Sequence, residues 1–180
     1  MALTFLTGGA RSGKSARAVL MAEASGRDVT FVATAQARDG EMADRIRLHR
    51  AERPVDWATI ETPLDLELAI AGLGAESAGI IDCLSLWVSN LLERGDSAEQ
   101  IEAAADLVAT ACAVSPAEWI VVSNEVGMGL VPMHPLGRDY RDLLGRVNAT
   151  FSRHAALALF MVAGRALRLG DHNLTTKENR

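Results

Sequence analysis

With 180 residues, 49% of them hydrophobic, the chain is long enough for one domain with a substantial core and too short for several. A formal net charge of -5 argues against a general nucleic-acid binder, because a phosphate backbone rewards a basic face. No apolar run approaches the roughly 20 residues that span a bilayer, and the first apolar run has no secretory pattern ahead of it, so the cytoplasm is the expected compartment.

In chain order, the pattern predicts a strand over residues 3–7 and then a glycine-rich turn. A helix over 14–24, a strand over 29–34 and a second helix over 40–52 follow, the last ended by Pro54, which lacks a donor and restricts Arg53. A short strand is expected at 57–61, a helix at 63–71, a strand at 79–82, and helices at 84–92 and 98–113, the last rich in alanine and suited to close packing. After a strand at 119–123 comes a loop at 127–137 with three glycines and two prolines, then a helix from about 138 to 154 and a strand at 158–162. The polar tail from Gly170 onward is expected to fray. This alternation implies an α/β fold with a mainly parallel, helix-flanked sheet of the P-loop nucleoside triphosphate hydrolase type, in one catalytic domain over 1–169. Cys83 and Cys112 lack metal-ligand spacing and read as buried thiols.

The turn after the first strand carries Gly8, Gly9, Ala10, Arg11, Ser12, Gly13, Lys14 and Ser15, which match G-x-x-x-x-G-K-[ST] in the strand, loop, helix context that the pattern requires. Glycines allow backbone N–H groups to turn in around phosphates, Lys14 is placed to reach the β and γ oxygens, and the Ser15 hydroxyl is placed to ligate Mg²⁺. Asp82 closes an apolar strand, where phosphate-loop enzymes hold the acid that orients Mg²⁺; the same position could instead cap the following helix. On the second helix, Arg45, His49 and Arg53 recur every four residues and so share a face. Cations on either side disfavour imidazolium, so His49 reads as a neutral nucleophile with arginines to attract the anion it attacks; a solvated basic face is the plain alternative. His134 and His154 read as structural or solvated. Trp57, Trp87 and Trp119 read as core, with Trp57 close enough in sequence to His49 to allow contact with a bound base.

Several separated motifs then carry a resemblance. They are residues 8–15; Thr34-Ala35-Gln36; Arg45-Ile46 with His49; Arg53-Pro54; Trp57; Asp82-Cys83-Leu84 with Leu86-Trp87 and Ser89-Asn90; residues 124–129 with Val131-Pro132; and Arg141-Asp142 with residues 145–148. In this order they resemble the bifunctional adenosylcobinamide kinase / adenosylcobinamide-phosphate guanylyltransferase family of cobalamin biosynthesis, over about residues 3–165. The resemblance implies a kinase step, from ATP or GTP to the aminopropanol hydroxyl of adenosylcobinamide. It implies a second step that moves GMP from GTP to adenosylcobinamide phosphate through a guanylylated histidine, which matches His49. It further implies nucleotide binding by the eight loop residues, Thr34, Ala35, Gln36, Arg50, Ala51, Glu52, Arg53, Glu61 and Asp82, and a homo-oligomer, for which helices 84–92 and 98–113 could supply an interface. A carboxylate at Glu61 can accept from both N1–H and N2–H₂ of guanine, whereas adenine offers it an acceptor. Asn124 and Glu125 end a strand beside the glycine-rich loop and are candidates for the corrinoid side. Competing expectations are a plain small-molecule kinase, which leaves His49 idle, and a GTP-dependent switch, for which no N-K-x-D signature is present.

Overall fold

The computed structural model describes residues 3–51 and 53–170. Its strands form one sheet: β1 (Leu3–Gly8), β2 (Asp28–Ala33), β3 (Ala58–Glu61), β4 (Ser77–Asp82), β5 (Glu118–Asn124), β6 (Leu157–Val162) and β7 (Arg165–Arg168). They lie in the order β3-β2-β4-β5-β1-β6-β7, with every pair parallel except β6 and β7. Between them run α1 (Lys14–Ala24), α2 (Gly40–Ala51), α3 (Leu66–Ala71), α4 (Leu84–Arg94), α5 (Ala98–Val114) and α6 (Pro135–His154). Parallel strands need crossover helices, and those helices cover both faces of the sheet, which is why the strands read as near-continuous apolar runs.

Alternation along the strands divides the core in two. Leu3, Phe5, Val32, Ile81, Trp119 and Val121 face α3, α4, α5 and α6, while Leu6, Phe31, Ile80, Ile120 and Val122 face Ala18 and Ala22 of α1. None of the described side chains of α2 is buried, and Leu48 is 58% exposed, so α2 lies on the protein without being locked into either core. A helix that buries so little apolar surface draws little stability from packing within this chain.

Trp119 decides one small residue on the neighbouring strand. Gly79 pairs with it in register, and a Cβ added at Gly79 would come within 2.2 Å of the indole ring. The indole is anchored by its own N–H, which donates to Ser115 Oγ at 3.1 Å, so the ring cannot slide aside. Gly79→Ala is therefore expected to cost about 1–3 kcal/mol, read as a lower denaturation midpoint with an unchanged slope.

Three elements differ from the sequence expectation. Helix α3 starts at Leu66, not Pro63, because the carbonyls of Pro63 and Leu64 are taken by side chains of α4: Asn90 Nδ2 donates to the first at 3.0 Å and Trp87 Nε1 to the second at 2.8 Å. Helix α6 starts at Pro135, where proline at the first helical turn loses no hydrogen bond. Strand β7 was not expected at all: Arg165–Arg168 is exposed throughout, and it pairs with β6 through a two-residue turn at Ala163 and Gly164, both at positive φ (50° and 74°). Both cysteines are buried free thiols, as expected. Of the tail, residues 171–180 lie outside the described residues, and among the described residues no helix is long and apolar enough to cross a membrane.

Candidate active site

The phosphate loop leaves the carboxyl end of β1, in the middle of the sheet. Gly8 pairs in register with Met161 of β6, and a Cβ there would sit 2.2 Å from the Met161 carbonyl oxygen, so only glycine lets the loop begin this close to its neighbour. Gly13 turns the chain into α1 at φ 95°. Lys14 is folded back over the loop: its ammonium donates to Gly8 O at 2.9 Å, to Gly9 O at 2.7 Å and to Ser12 Oγ at 3.4 Å. Burial pushes its pKa below the ordinary lysine value, with the Asp82 charge pulling the other way.

Asp82 ends β4 with Ser15 and His49 around the same cleft of about 410 Å³, whose walls include Val19 and Leu20 of α1, Phe31 of β2, and Arg53. The alternative role of Asp82 as a helix cap is not found. Cys83 occupies the cap position of α4, and its backbone is met by Thr34, whose Oγ1 accepts from Cys83 N–H and donates to Cys83 O, each at 2.8 Å. Burial raises the Cys83 thiol to about 11, with the Asp82 charge adding to the shift, so it is no thiolate nucleophile at neutral pH.

Arg53 lies just past the end of α2 and continues its spacing, its Nε donating to His49 O at 2.9 Å. The guanidinium stacks 3.6 Å from the centroid of Phe31, and its Nη1 is buried without a hydrogen-bond partner among the described residues. Its pKa is lowered, chiefly by burial, with Asp82 opposing and Arg50 reinforcing the shift. A buried, unsatisfied guanidinium N–H is costly unless something anionic completes it, and beside a phosphate loop a phosphate oxygen is the fitting acceptor. Phe31 was missed from the sequence, where it is one more apolar residue of a buried strand.

Thr34, Ala35 and Gln36 follow β2 along the carboxyl edge, but the Thr34 hydroxyl is spent on Cys83, and Gln36 Oε1 accepts from Arg38 at 2.6 and 2.9 Å. Glu61 stands in one register row with Ala33 and Asp82, exposed on β3 and outside the lining of the His49 cleft. Arg50 and Ala51 are exposed in the last turn of α2, while Glu52 and the side chain of Arg45 lie outside the described residues. Gly9, Ala10, Arg11 and Ser12 line a second cleft with Glu125. Asn124 sits in a polar network instead: its amide donates to Ser85 Oγ at 2.8 Å and its carbonyl accepts from Asn148 Nδ2 at 3.0 Å, so its amide braces the start of α4. Trp57 packs on the α1-side core, His154 pairs with Asp106 at 3.0 Å, and His134 precedes α6 without a side-chain cap bond.

Known proteins resemble this chain in sequence over most of its length. The family model for cobinamide kinase / cobinamide phosphate guanyltransferase matches residues 4–169. The bifunctional adenosylcobalamin biosynthesis protein CobP of Pseudomonas aeruginosa is 40% identical over 160 residues, which are 88% of this chain and 92% of that protein. The corresponding CobU proteins of Salmonella typhimurium and Escherichia coli are 37% and 36% identical, each across 93% of this chain and 99% of theirs. Among solved structures, the flagellar accessory protein FlaH of Methanocaldococcus jannaschii superposes with a TM-score of 0.49 at 13% identity, over 93% of this chain and 77% of that one. By the span and identity of these sequence matches, the chain belongs to the cobinamide kinase / cobinamide phosphate guanyltransferase family.

Proposed function

We propose that the protein phosphorylates adenosylcobinamide with a nucleoside triphosphate and then transfers GMP from GTP to the adenosylcobinamide phosphate, through a guanylyl group carried on His49. The observation that carries this reading is the single cleft shared by Ser15 at the phosphate loop, Asp82, Arg53 and His49. A plain kinase needs the first two and gives His49 no work.

In the kinase step the hydroxyl oxygen of the aminopropanol arm bonds to the γ-phosphorus as the bond from that phosphorus to the β–γ bridging oxygen breaks. Little covalent chemistry falls to the protein; Lys14 and the loop N–H groups hold the transferred charge. In the second reaction an imidazole nitrogen of His49 attacks the α-phosphorus of GTP, a P–N bond forms, the bond to the α–β bridging oxygen breaks, and pyrophosphate leaves. A phosphate oxygen of the corrinoid then attacks the same phosphorus, the P–N bond breaks, and the imidazole is restored. Splitting the displacement lets GTP and the bulky corrinoid use the site in turn. Arg53, with its unsatisfied Nη1, steadies phosphate oxygens during both displacements.

Mg²⁺ fits the donors present. It binds through one or two protein oxygens plus substrate phosphate and water, and Ser15 with Asp82 supplies that set on one cleft. When bound, it neutralises charge on the phosphoryl oxygens. The protein works as a cytoplasmic homo-oligomer without nucleic acid. Glu61, on the carboxyl edge three strands from β1's neighbour β5, sets guanine preference, and Glu61→Gln should lower the ratio of GTP to ATP use by about tenfold in protein labelling, consistent with the roughly 1–3 kcal/mol of a paired base edge. An unchanged ratio would remove that role. The whole reading is tested by incubating the protein with Mg²⁺ and GTP labelled at the α- or the γ-phosphate and denaturing it. Acid-labile, base-stable α-label on the protein is expected; γ-transfer to cobinamide without any α-label would leave a plain kinase.

A further inference from the structure

On the far side of the phosphate loop from His49, a second cleft of about 420 Å³ opens between Gly9–Ser12 and the β6–β7 turn, with Met128, Phe160 and Met161 as apolar walls and Glu125 as its one carboxylate. The cleft is built onto the loop. Glu125 N–H donates to Gly8 O at 2.9 Å, and Gly164 N–H, in the turn, donates to Ser12 O at 3.2 Å, so both walls are tied to the loop backbone itself. Gly127 N–H donates to Glu125 Oε1, which holds the carboxylate in place.

From Met128 an apolar apron continues over the surface. Met128 is 79% exposed, and beyond it Leu130, Val131, Met133 and Leu136 are all strongly exposed, on the segment that leads into α6. Exposed apolar groups gathered on one segment mark a binding surface, and these begin at the mouth of the second cleft. The carboxylate accepts a hydrogen bond from an alcohol, and Arg11 on the same lining offers a cation to the phosphoryl group that the alcohol receives. A nucleoside would need no apolar apron, whereas a corrin macrocycle with a short hydroxyl-bearing arm needs both.

We infer that this cleft and apron form the acceptor subsite of the kinase reaction: the corrinoid body lies on residues 128–136, its aminopropanol arm enters beside Gly9–Ser12, and Glu125 takes the hydroxyl proton. The hydroxyl oxygen bonds to the γ-phosphorus, the bond to the bridging oxygen breaks, the nucleoside diphosphate leaves, and the proton passes through the Glu125 carboxylate to water. The triphosphate thus lies between two clefts, with the acceptor on one side of the loop and the histidine on the other. This rests on the kinase half of the reading above and is independent of the guanylyl-histidine.

The test uses cobinamide with ATP, alongside protein labelling by α-labelled GTP, which involves no acceptor. Glu125→Gln should lower kinase kcat by about 10²- to 10³-fold while the KM for cobinamide moves little and labelling persists. A Leu130→Ser, Met133→Ser double variant should raise the KM for cobinamide about tenfold or more and leave the KM for ATP unchanged. Kinase kcat within threefold of the parent in Glu125→Gln overturns the assignment, as does joint loss of labelling, which would make Glu125 a brace of the loop. An unchanged cobinamide KM with a changed gel-filtration size assigns the apron to contacts between copies of the chain and overturns its role here. Absent α-label in the parent protein, with kinase activity intact, would instead strike only the guanylyl-histidine.

Discussion

His49→Ala is expected to abolish protein-bound label from α-labelled GTP and to reduce guanylyl transfer by about 10⁴- to 10⁶-fold, the scale seen when a covalent nucleophile is deleted. Kinase activity should stay within a few-fold of the parent. The reason is geometric. His49 shares a cleft with Ser15 and Asp82, yet the described part of its helix buries no side chain, so the imidazole lies outside both apolar cores. Removing it leaves both cores intact and deletes the nucleophile. Equal loss of both activities would mean that α2 carries the site as a scaffold; retained α-label would move the nucleophile elsewhere.

Lys14→Met should depress both activities, because both reactions place a polyphosphate on the same loop. A loss of roughly 10²- to 10³-fold in kcat is expected for the kinase, the scale of one charge-stabilising donor removed from a transition state. Its pH dependence gives a second reading. Burial lowers the Lys14 pKa from 10.5, so the ammonium is lost at a lower pH than in an exposed lysine. The sign follows directly: the charged form is the active one, it is fully present below the lowered pKa, and activity falls as pH rises through it. The alkaline limb of kcat/KM, which reports the free enzyme, should therefore lie below 10.5 in the parent, and replacing Lys14 by Arg, which keeps its charge, should remove that limb. The Asp82 charge opposes the burial, so Asp82→Asn should move the limb to still lower pH. A limb at or above 10.5 in the parent would show that another group controls it.

Much of the site could be read from residue order because its signals are local. The loop from Gly8 to Ser15 needs only a strand before it and a helix after it, and the spacing from His49 to Arg53 needs only the period of a helix. The apolar strand ending at Asp82 is likewise a local pattern. What escaped was decided across the chain. Phe31 belongs to no motif, and only folding sets it under the Arg53 guanidinium. Thr34 and Asn124 were expected to face ligand, whereas their hydroxyl and amide are each committed to a residue far off in sequence, Cys83 and Ser85. Such polar atoms cannot be assigned from sequence, since a buried hydroxyl or amide takes whichever partner the fold brings within reach.

The sequence by itself determined the alternation of strands and helices, the phosphate loop, the carboxylate at Asp82 and the family, because periodicity and contiguous motifs are properties of neighbours along the chain. Only the tertiary structure decided that β1 lies between β5 and β6, which puts the loop at the centre of the sheet with a cleft on either side. It alone decided that β6 and its turn into the exposed β7 close one of those clefts and that α2 carries His49 into the other. Strand order is set by which apolar faces bury most against each other, and that is a sum over distant residues that no local window contains.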